Sequence, residues 1–283
     1  MPDNPHSSAV CETALPHRVL QLEGRDALAF AQAQTMNDVR ALADGQWQWN
    51  GWLNPKGRVL ALFALLRIDP QTLWLLLPDA DADALAAQLQ RFVLRSKVAL
   101  RVRDDLHACG AAAAPQAAAG AQSGDIGGAV ELDMGGNGGP RRLRIATATA
   151  SIDTDRMQAW MQADLAHGLP YLGGTQAGEW TPQQLSLERL RAFSLKKGCY
   201  PGQEIVARTH YLGQAKRGLV LCEAEGPLAA GTEVRCDGDA CGRLVSAAGT
   251  LALAVLPLGR DAGALEVGAQ PLRVRPLLGG LAR

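Results

Sequence analysis

"KKGCYPGQEIVAR" (196–208) divides the chain into two textures. Upstream, long apolar runs alternate with helical patterns. Downstream, from Lys216, come short runs split by Gly, Pro and Asp: "RGLVLCEAE", "TEVRC", "GRLVSAA", "TLALAVLPL", "ALEV" and "PLRVRP". Such runs predict a small antiparallel β-barrel. Within the quoted segment, Gly198 and Gly202 allow the backbone to approach other groups closely. "QEIVART" (203–209) predicts a short helix. Cys199 thus lies in a loop between an upstream helix and the barrel. Lys196, Lys197 and the positive end of the 203 helix would favour a thiolate there. A buried structural cysteine in a rigid turn fits the same spacing, so the residues alone leave both roles open. His210 nearby does not make a Cys/His nucleophile.

Upstream, "HRVLQLEG" (17–24) reads as a strand and "DALAFAQAQ" (26–34) as a helix capped by Asp26. "GQWQWNGWL" (45–53) alternates, with Trp47 and Trp49 on one face. "GRVLALFALLRI" (57–68) and "TLWLLL" (72–77) read as strands. "DADADALAAQLQRFVLRS" (79–96) predicts a helix with Leu85, Leu89, Phe92 and Val93 on one face and Asp79, Asp81 and Asp83 at its start, where the dipole favours negative charge. "KVALRVR" (97–103) closes the unit. This order resembles a ferredoxin-like plait. Residues 108–128 are Ala/Gly-rich and read either as a linker or as a weak strand and short helix. Strands are predicted at 129–134 and 141–147. The "GGNGGP" between them reads as a hairpin loop, since it lacks phosphate-loop spacing. A helix at 153–165 puts Met157, Trp160, Met161 and Leu165 on one face. "TPQQLSLERLRAF" (181–193) predicts another, with Thr181 and Gln184 forming a capping box. The expected fold class is α+β: two plait-type α+β units, 1–107 and 108–212, plus a barrel at 213–283.

A length of 283 residues predicts two or three domains. The 28 basic and 28 acidic residues balance, which argues against a general nucleic-acid surface. Six cysteines, none in a CxxC pair, form neither a zinc or iron–sulfur ligand signature nor a disulfide scaffold. A reducing cytosol is the expected home. The polar N-terminal "MPDNPHSSAVCETALPHR" does not read as a signal peptide, and the apolar runs are too short to span a membrane.

"KKGCYPGQEIVAR" resembles the K-G-C-Y-x-G-Q-E hallmark of the YgfZ-type folate-binding proteins, relatives of the glycine-cleavage T-protein, an aminomethyltransferase. Lys197, Gly198, Cys199, Tyr200, Gly202, Gln203 and Glu204 all match it. "LEGRDALAFAQAQTMNDV", "LNPKGRVLALFALLR" and "PQQLSLERLRAFSLKKGCY" are similar to other stretches of that family. The resemblance implies a three-domain ring around a central cavity that holds tetrahydrofolate or a derivative. It also implies a role in assembling or repairing iron–sulfur clusters in client enzymes, including some that modify tRNA. It makes Cys199 the functional thiol, with Lys197, Tyr200, Gln203 and Glu204 as further catalytic residues and Gly198 and Gly202 among the folate-binding positions. Trp160 aligns with a folate-contacting tryptophan, though its helical pattern equally fits a core residue. The second such position is His17. The T-protein's acidic positions fall on Ala61 and Leu62, and its pterin-binding glutamate on Ala166. Neither Ala nor Leu can take or hold a proton, so aminomethyltransferase activity is expected to be absent. A folate's glutamyl tail calls for cations, for which Arg189, Arg191, Lys196, Lys197 and Arg208 are the candidates.

Three readings stand beside one another: a folate-dependent accessory factor for iron–sulfur proteins, a folate-dependent one-carbon transferase or demethylase, and a pure interaction module. The expected partners are a folate and iron–sulfur client enzymes, with no direct nucleic acid and no membrane.

Overall fold

The computed structural model describes residues 12–213, 215–259 and 263–283. Cys11 and the polar segment before it lie outside the described residues. The first two strands part company. β1 (Thr13–Leu15) pairs with β7 (His107–Ala111) in the second sheet, whereas β2 (Arg18–Glu23) enters the first.

The first sheet is built from β2, β3 (Trp47–Leu53), β4 (Val59–Asp69), β5 (Thr72–Leu77) and β6 (Ala99–Val102), in the antiparallel order β3-β4-β5-β2-β6. The continuous apolar run of β4 has a physical cause: both of its faces are covered. Phe63 and Leu65 join Leu85 and Leu89 in one core. Leu62 and Leu66 join Trp47 and Trp49 in another. The two tryptophans meet edge to face at 5.3 Å, an arrangement favoured by the ring quadrupole.

α1 (Ala27–Gln34) begins at Asp26, but that carboxylate accepts the Lys97 N–H at 2.6 Å instead of capping the helix. It ties the helix start to the chain entering β6. α2 (Ala82–Gln90) is shorter than the predicted 79–96. Asp81 is its cap, accepting the Ala84 N–H at 2.9 Å. Beyond Gln90 the hydrogen bonds tighten to three-residue spacing at Phe92 and Val93, and Phe92 is 45% exposed rather than in the core.

The second sheet runs β1-β7-β10-β9-β8, with β8 (Gly124–Ile126), β9 (Ala129–Asp133) and β10 (Arg142–Ala146). The Ala/Gly-rich segment is therefore no linker, and it contains no helix. Its turn is held by the buried Glu131 side chain, which accepts the N–H groups of Gln116, Ala117 and Ala118 at 2.8, 2.7 and 3.1 Å. "GGNGGP" is a hairpin loop, as its spacing predicts. α3 (Thr154–Ala166) follows, buried through Trp160 and Leu165.

The predicted 181–193 helix does not form. The capping box does: Gln184 N–H donates to Thr181 Oγ1 at 3.2 Å, and Gln184 Oε1 accepts the Thr181 N–H at 3.1 Å. Propagation then fails because Ser186 adopts a left-handed conformation, φ 49°. Its hydroxyl accepts the Leu219 N–H at 3.1 Å, binding this segment to the barrel. A short 3-10 turn at Leu187–Leu190 ends in a second left-handed residue, Arg191.

α4 (Gln203–Leu212) forms where predicted. The barrel then closes on itself from β11 (Arg217–Glu223), β12 (Glu233–Cys236), β13 (Asp239–Ala248), β14 (Leu251–Pro257), β15 (Leu265–Val267) and β16 (Gln270–Arg275), in the order β11-β14-β13-β12-β15-β16. The tail after β16 returns to the two sheets. Leu278 N–H bonds Ala166, Trp49 Nε1 donates to the Leu281 carbonyl at 2.8 Å, and Arg283 donates to the carbonyls of Asp133 and Gly135.

Candidate functional site

The hallmark loop is held by the first unit. Met36 accepts the Ser194 N–H at 2.9 Å, Asn37 Nδ2 donates to the Arg191 carbonyl at 2.6 Å, and Gln32 Nε2 donates to the Lys197 carbonyl at 3.2 Å. Asn50 orients Asn37 by accepting its N–H at 2.9 Å. Gln32, Asn37 and Asn50 were not singled out from sequence; their only signal was polar character inside apolar surroundings. On the other side, Gly202 (φ +79°) and Gly57 (φ +69°) bring two turns together. A Cβ on Gly202 would lie 2.6 Å from the Asn54 carbonyl oxygen and 2.7 Å from Gly57 Cα. Gly198 (φ +96°) needs its glycine for conformation alone, since a Cβ there would meet nothing.

Within this frame, Cys199 is exposed, while the other described cysteines, Cys109, Cys222, Cys236 and Cys241, are buried. Burial pushes the Cys222 thiol up to about 12, which keeps it in its inert, protonated form. Lys197 turns inward: its ammonium donates to the Thr35 carbonyl and lies 5.0 Å from the centre of the Tyr200 ring. Burial lowers its pKa to about 8, against the pull of Asp38. Tyr200 is buried, with its hydroxyl donating to the Ser194 carbonyl at 3.3 Å, and burial raises its pKa to about 12. Lys197 and Tyr200 thus brace the loop from within. Gln203 and the exposed Glu204 open α4.

Three cavities bear on ligand binding. One, of about 500 Å³, lies beside the loop and is lined by Asp38, Arg191, Ser194, Lys196, His210 and Arg283 among others. It gathers two of the tail-binding candidates, Arg191 and Lys196, and adds Arg283, which its distance in sequence had hidden. Arg189 is elsewhere, donating to the Leu278 carbonyl at 2.8 Å, and Arg208 is exposed on α4.

The second, also about 500 Å³, opens where the two sheet units meet the barrel. Pro16, Asp79, Met161, Tyr171, Val245 and Ser246 are among its walls. The folate positions implied by the resemblance stand behind this wall. His17 follows Pro16 and is buried, which lowers its pKa to about 4. Trp160 precedes Met161 and is 4% exposed, pressed against Gly110, with the Arg141 guanidinium 4.8 Å from its ring centre. That placement makes Trp160 a core residue in this structure. Tyr171 donates to Asp164 at 2.6 Å, and Asp164 also holds Arg141 at 2.7 Å. The third cavity, about 220 Å³, shares Asp79, Ala80, Asp81 and Gly173 with the second and adds Trp52, Leu60 and Ala61.

Asp79 is the residue that sequence reasoning misplaced. It belongs to no helix start; its Oδ2 is buried without a hydrogen-bond partner, beside Gly173. Burial raises its pKa to about 6, opposed by the backbone amides of Gly173 and Leu172. It faces the same small cavity as Ala61, one of the apolar positions where a T-protein carries acid.

Comparison with known proteins agrees with this geometry. The fold is similar to that of the glycine cleavage system aminomethyltransferase T from Bartonella henselae, which superposes with a TM-score of 0.73 at 15% identity, over 94% of this chain and 85% of that one. Residues 216–277 match the family model "CAF17, C-terminal beta-barrel domain". The "tRNA-modifying protein YgfZ" of Klebsiella pneumoniae is 29% identical over 221 residues, 70% of this chain and 66% of that protein. The protein of the same name from Colwellia psychrerythraea is 28% identical over 226 residues, 73% of this chain and 69% of that protein. Sequence, barrel and fold together support a YgfZ-type protein. Among the described residues, no helix is long and apolar enough to cross a membrane.

Proposed function

We propose that this chain is a tetrahydrofolate-binding accessory protein that supports assembly or repair of iron–sulfur clusters in client enzymes, tRNA-modifying ones included, and that Cys199 is its working thiol. One observation carries the reading: Cys199 is the exposed cysteine among the described ones, in a loop fixed on both sides by backbone contacts. A single thiolate cannot complete a cluster's ligand set, so the thiol serves a cluster or sulfur atom held by the client. The junction cleft suits a folate: its volume lies within the range of small-molecule sites, about 300–1,000 Å³, and Asp79 brings an unused acceptor to it. When bound, the folate would supply one-carbon or reducing chemistry. The chain's own residues hold the loop, as Lys197 and Tyr200 do, and shape the cleft, as Met161, Tyr171 and Ser246 do.

A one-carbon transferase is the weaker reading, because Ala61 and Leu62 are buried and apolar where that chemistry needs acid. The test is complementation of a strain lacking its own copy with wild type and Cys199→Ser, reading iron–sulfur enzyme activities. Wild type should restore them and the variant should not, while both give the same circular dichroism and melting temperature. Full rescue by the variant would reduce Cys199 to a surface residue.

A further inference from the structure

The polar groups lining the junction cleft are nearly all committed within the protein. The Tyr171 hydroxyl donates to Asp164 at 2.6 Å. Ser246 Oγ accepts the Tyr171 N–H at 2.9 Å and donates to the Tyr171 carbonyl at 2.8 Å. Asp81 caps α2 through its Oδ1. Asp79 differs: its Oδ2 is buried, accepts no hydrogen bond of normal geometry although the amides of Gly173 and Leu172 lie nearby, and sits where the two adjoining cavities meet. An ionised carboxylate is acceptor-only, and a buried acceptor left without a donor is costly, by about 1–3 kcal/mol. Such an atom is a vacancy for a donor brought by a ligand. A planar carboxylate matches best a flat ligand edge carrying two adjacent N–H donors, as it does a guanidinium. The 2-amino and ring N–H of a pterin form such an edge.

We infer that Asp79 anchors the pterin head of the bound folate by accepting hydrogen bonds from that amidine-like edge. The assignment rests on the folate reading above. It gives the cleft an orientation: the head enters beside Asp79 and Gly173, at the mouth of the smaller cavity that Ala61 lines. A carboxylate on the turn after β5 thereby provides a recognition group in a cleft where Ala61 provides none.

Calorimetry with four pairings tests it. The wild-type protein is titrated with 5-formyltetrahydrofolate, with 6-methylpterin, and with 6-methyllumazine, which carries a carbonyl where the pterin carries its 2-amino group. Asp79→Asn is titrated with 6-methylpterin. Wild type should bind the pterin about 10- to 100-fold more tightly than the lumazine, the loss expected when a charged acceptor faces an acceptor instead of a donor. Asp79→Asn should weaken pterin binding by a similar factor. If wild type binds pterin and lumazine equally, or if Asp79→Asn binds pterin like wild type, Asp79 is not the anchor, although folate binding stands. If wild type binds neither folate nor pterin, the folate reading fails and the anchor fails with it. The lumazine comparison needs no variant, so it decides the matter even if Asp79→Asn were misfolded.

Discussion

Replacing Asp79 by Asn should make the protein more stable at neutral pH and much less so in acid. Burial raises this carboxyl from an ordinary 3.8 to about 6, so the folded chain holds the proton more tightly than the unfolded one. Between those values the folded state binds more protons, and stability falls as pH rises, levelling off above about 6. The gap of about 2, at about 1.36 kcal/mol per pH unit, sets a ceiling near 3 kcal/mol on the cost of the charge at pH 7.5. Solvent in the open cleft lowers it, giving about 1–3 kcal/mol. Asn keeps the shape and carries no charge, so it should recover that amount. At pH 4.5 the gain should drop to about a third of its value. Urea unfolding of both proteins at the two pH values measures the difference directly. An Asn variant that is less stable at pH 7.5, or a difference that does not change with pH, would refute the claim that Asp79 is a buried charge kept at the expense of stability.

The two loop glycines should behave differently. Gly202→Ala combines a left-handed φ with backbone 2.6 Å away and should cost about 2–4 kcal/mol in urea unfolding. Gly198→Ala meets only conformational strain, about 1–2 kcal/mol; equal losses would show that the Gly57 contact is not tight. Lys197 should lose its proton with a midpoint near 8 rather than 10.5, because burial disfavours the ammonium. An NMR titration of its side chain reads this, and a midpoint near 10 would place the ammonium in solvent.

Much of this architecture could be read before the structure, and the exceptions have physical causes. The barrel was legible because closed antiparallel strands are short and each ends in Gly, Pro or Asp. β4 was legible as a central strand because both faces need apolar cover. The capping box at Thr181 was read correctly as local chemistry, yet the helix was not, because a contact 33 residues away, from Ser186 to Leu219, stabilises a left-handed residue that ends it. The Ala-rich segment gave no periodic signal because a distant carboxylate, Glu131, organises its turn. Asp79 sat in a row of aspartates that suited a helix N-terminus; Asp81 caps α2 and Asp83 lies in its first turn, while Asp79 lies outside it. The hallmark loop was legible as a motif, whereas its supports, Gln32 and Asn37, reach it from far along the chain. Nor could Trp160 be assigned from sequence: ligand contact and core packing ask for the same face of α3, and the structure buries the ring with its indole N–H unpartnered.

The contact between Gly57 and Gly202 has a consequence for how Cys199 meets other molecules. Two backbones brought this close, with Ile205 packed beside them, couple the position of the hallmark loop to that of the β3–β4 turn. The strand leaving that turn carries Leu60 and Ala61 into the wall of the small cavity beside Asp79. Thiol and cavity are thus joined through one short stretch of chain. If Cys199 works on a client as proposed, the fit has to come largely from the client's side, because the loop that presents the thiol is braced against the rest of the chain.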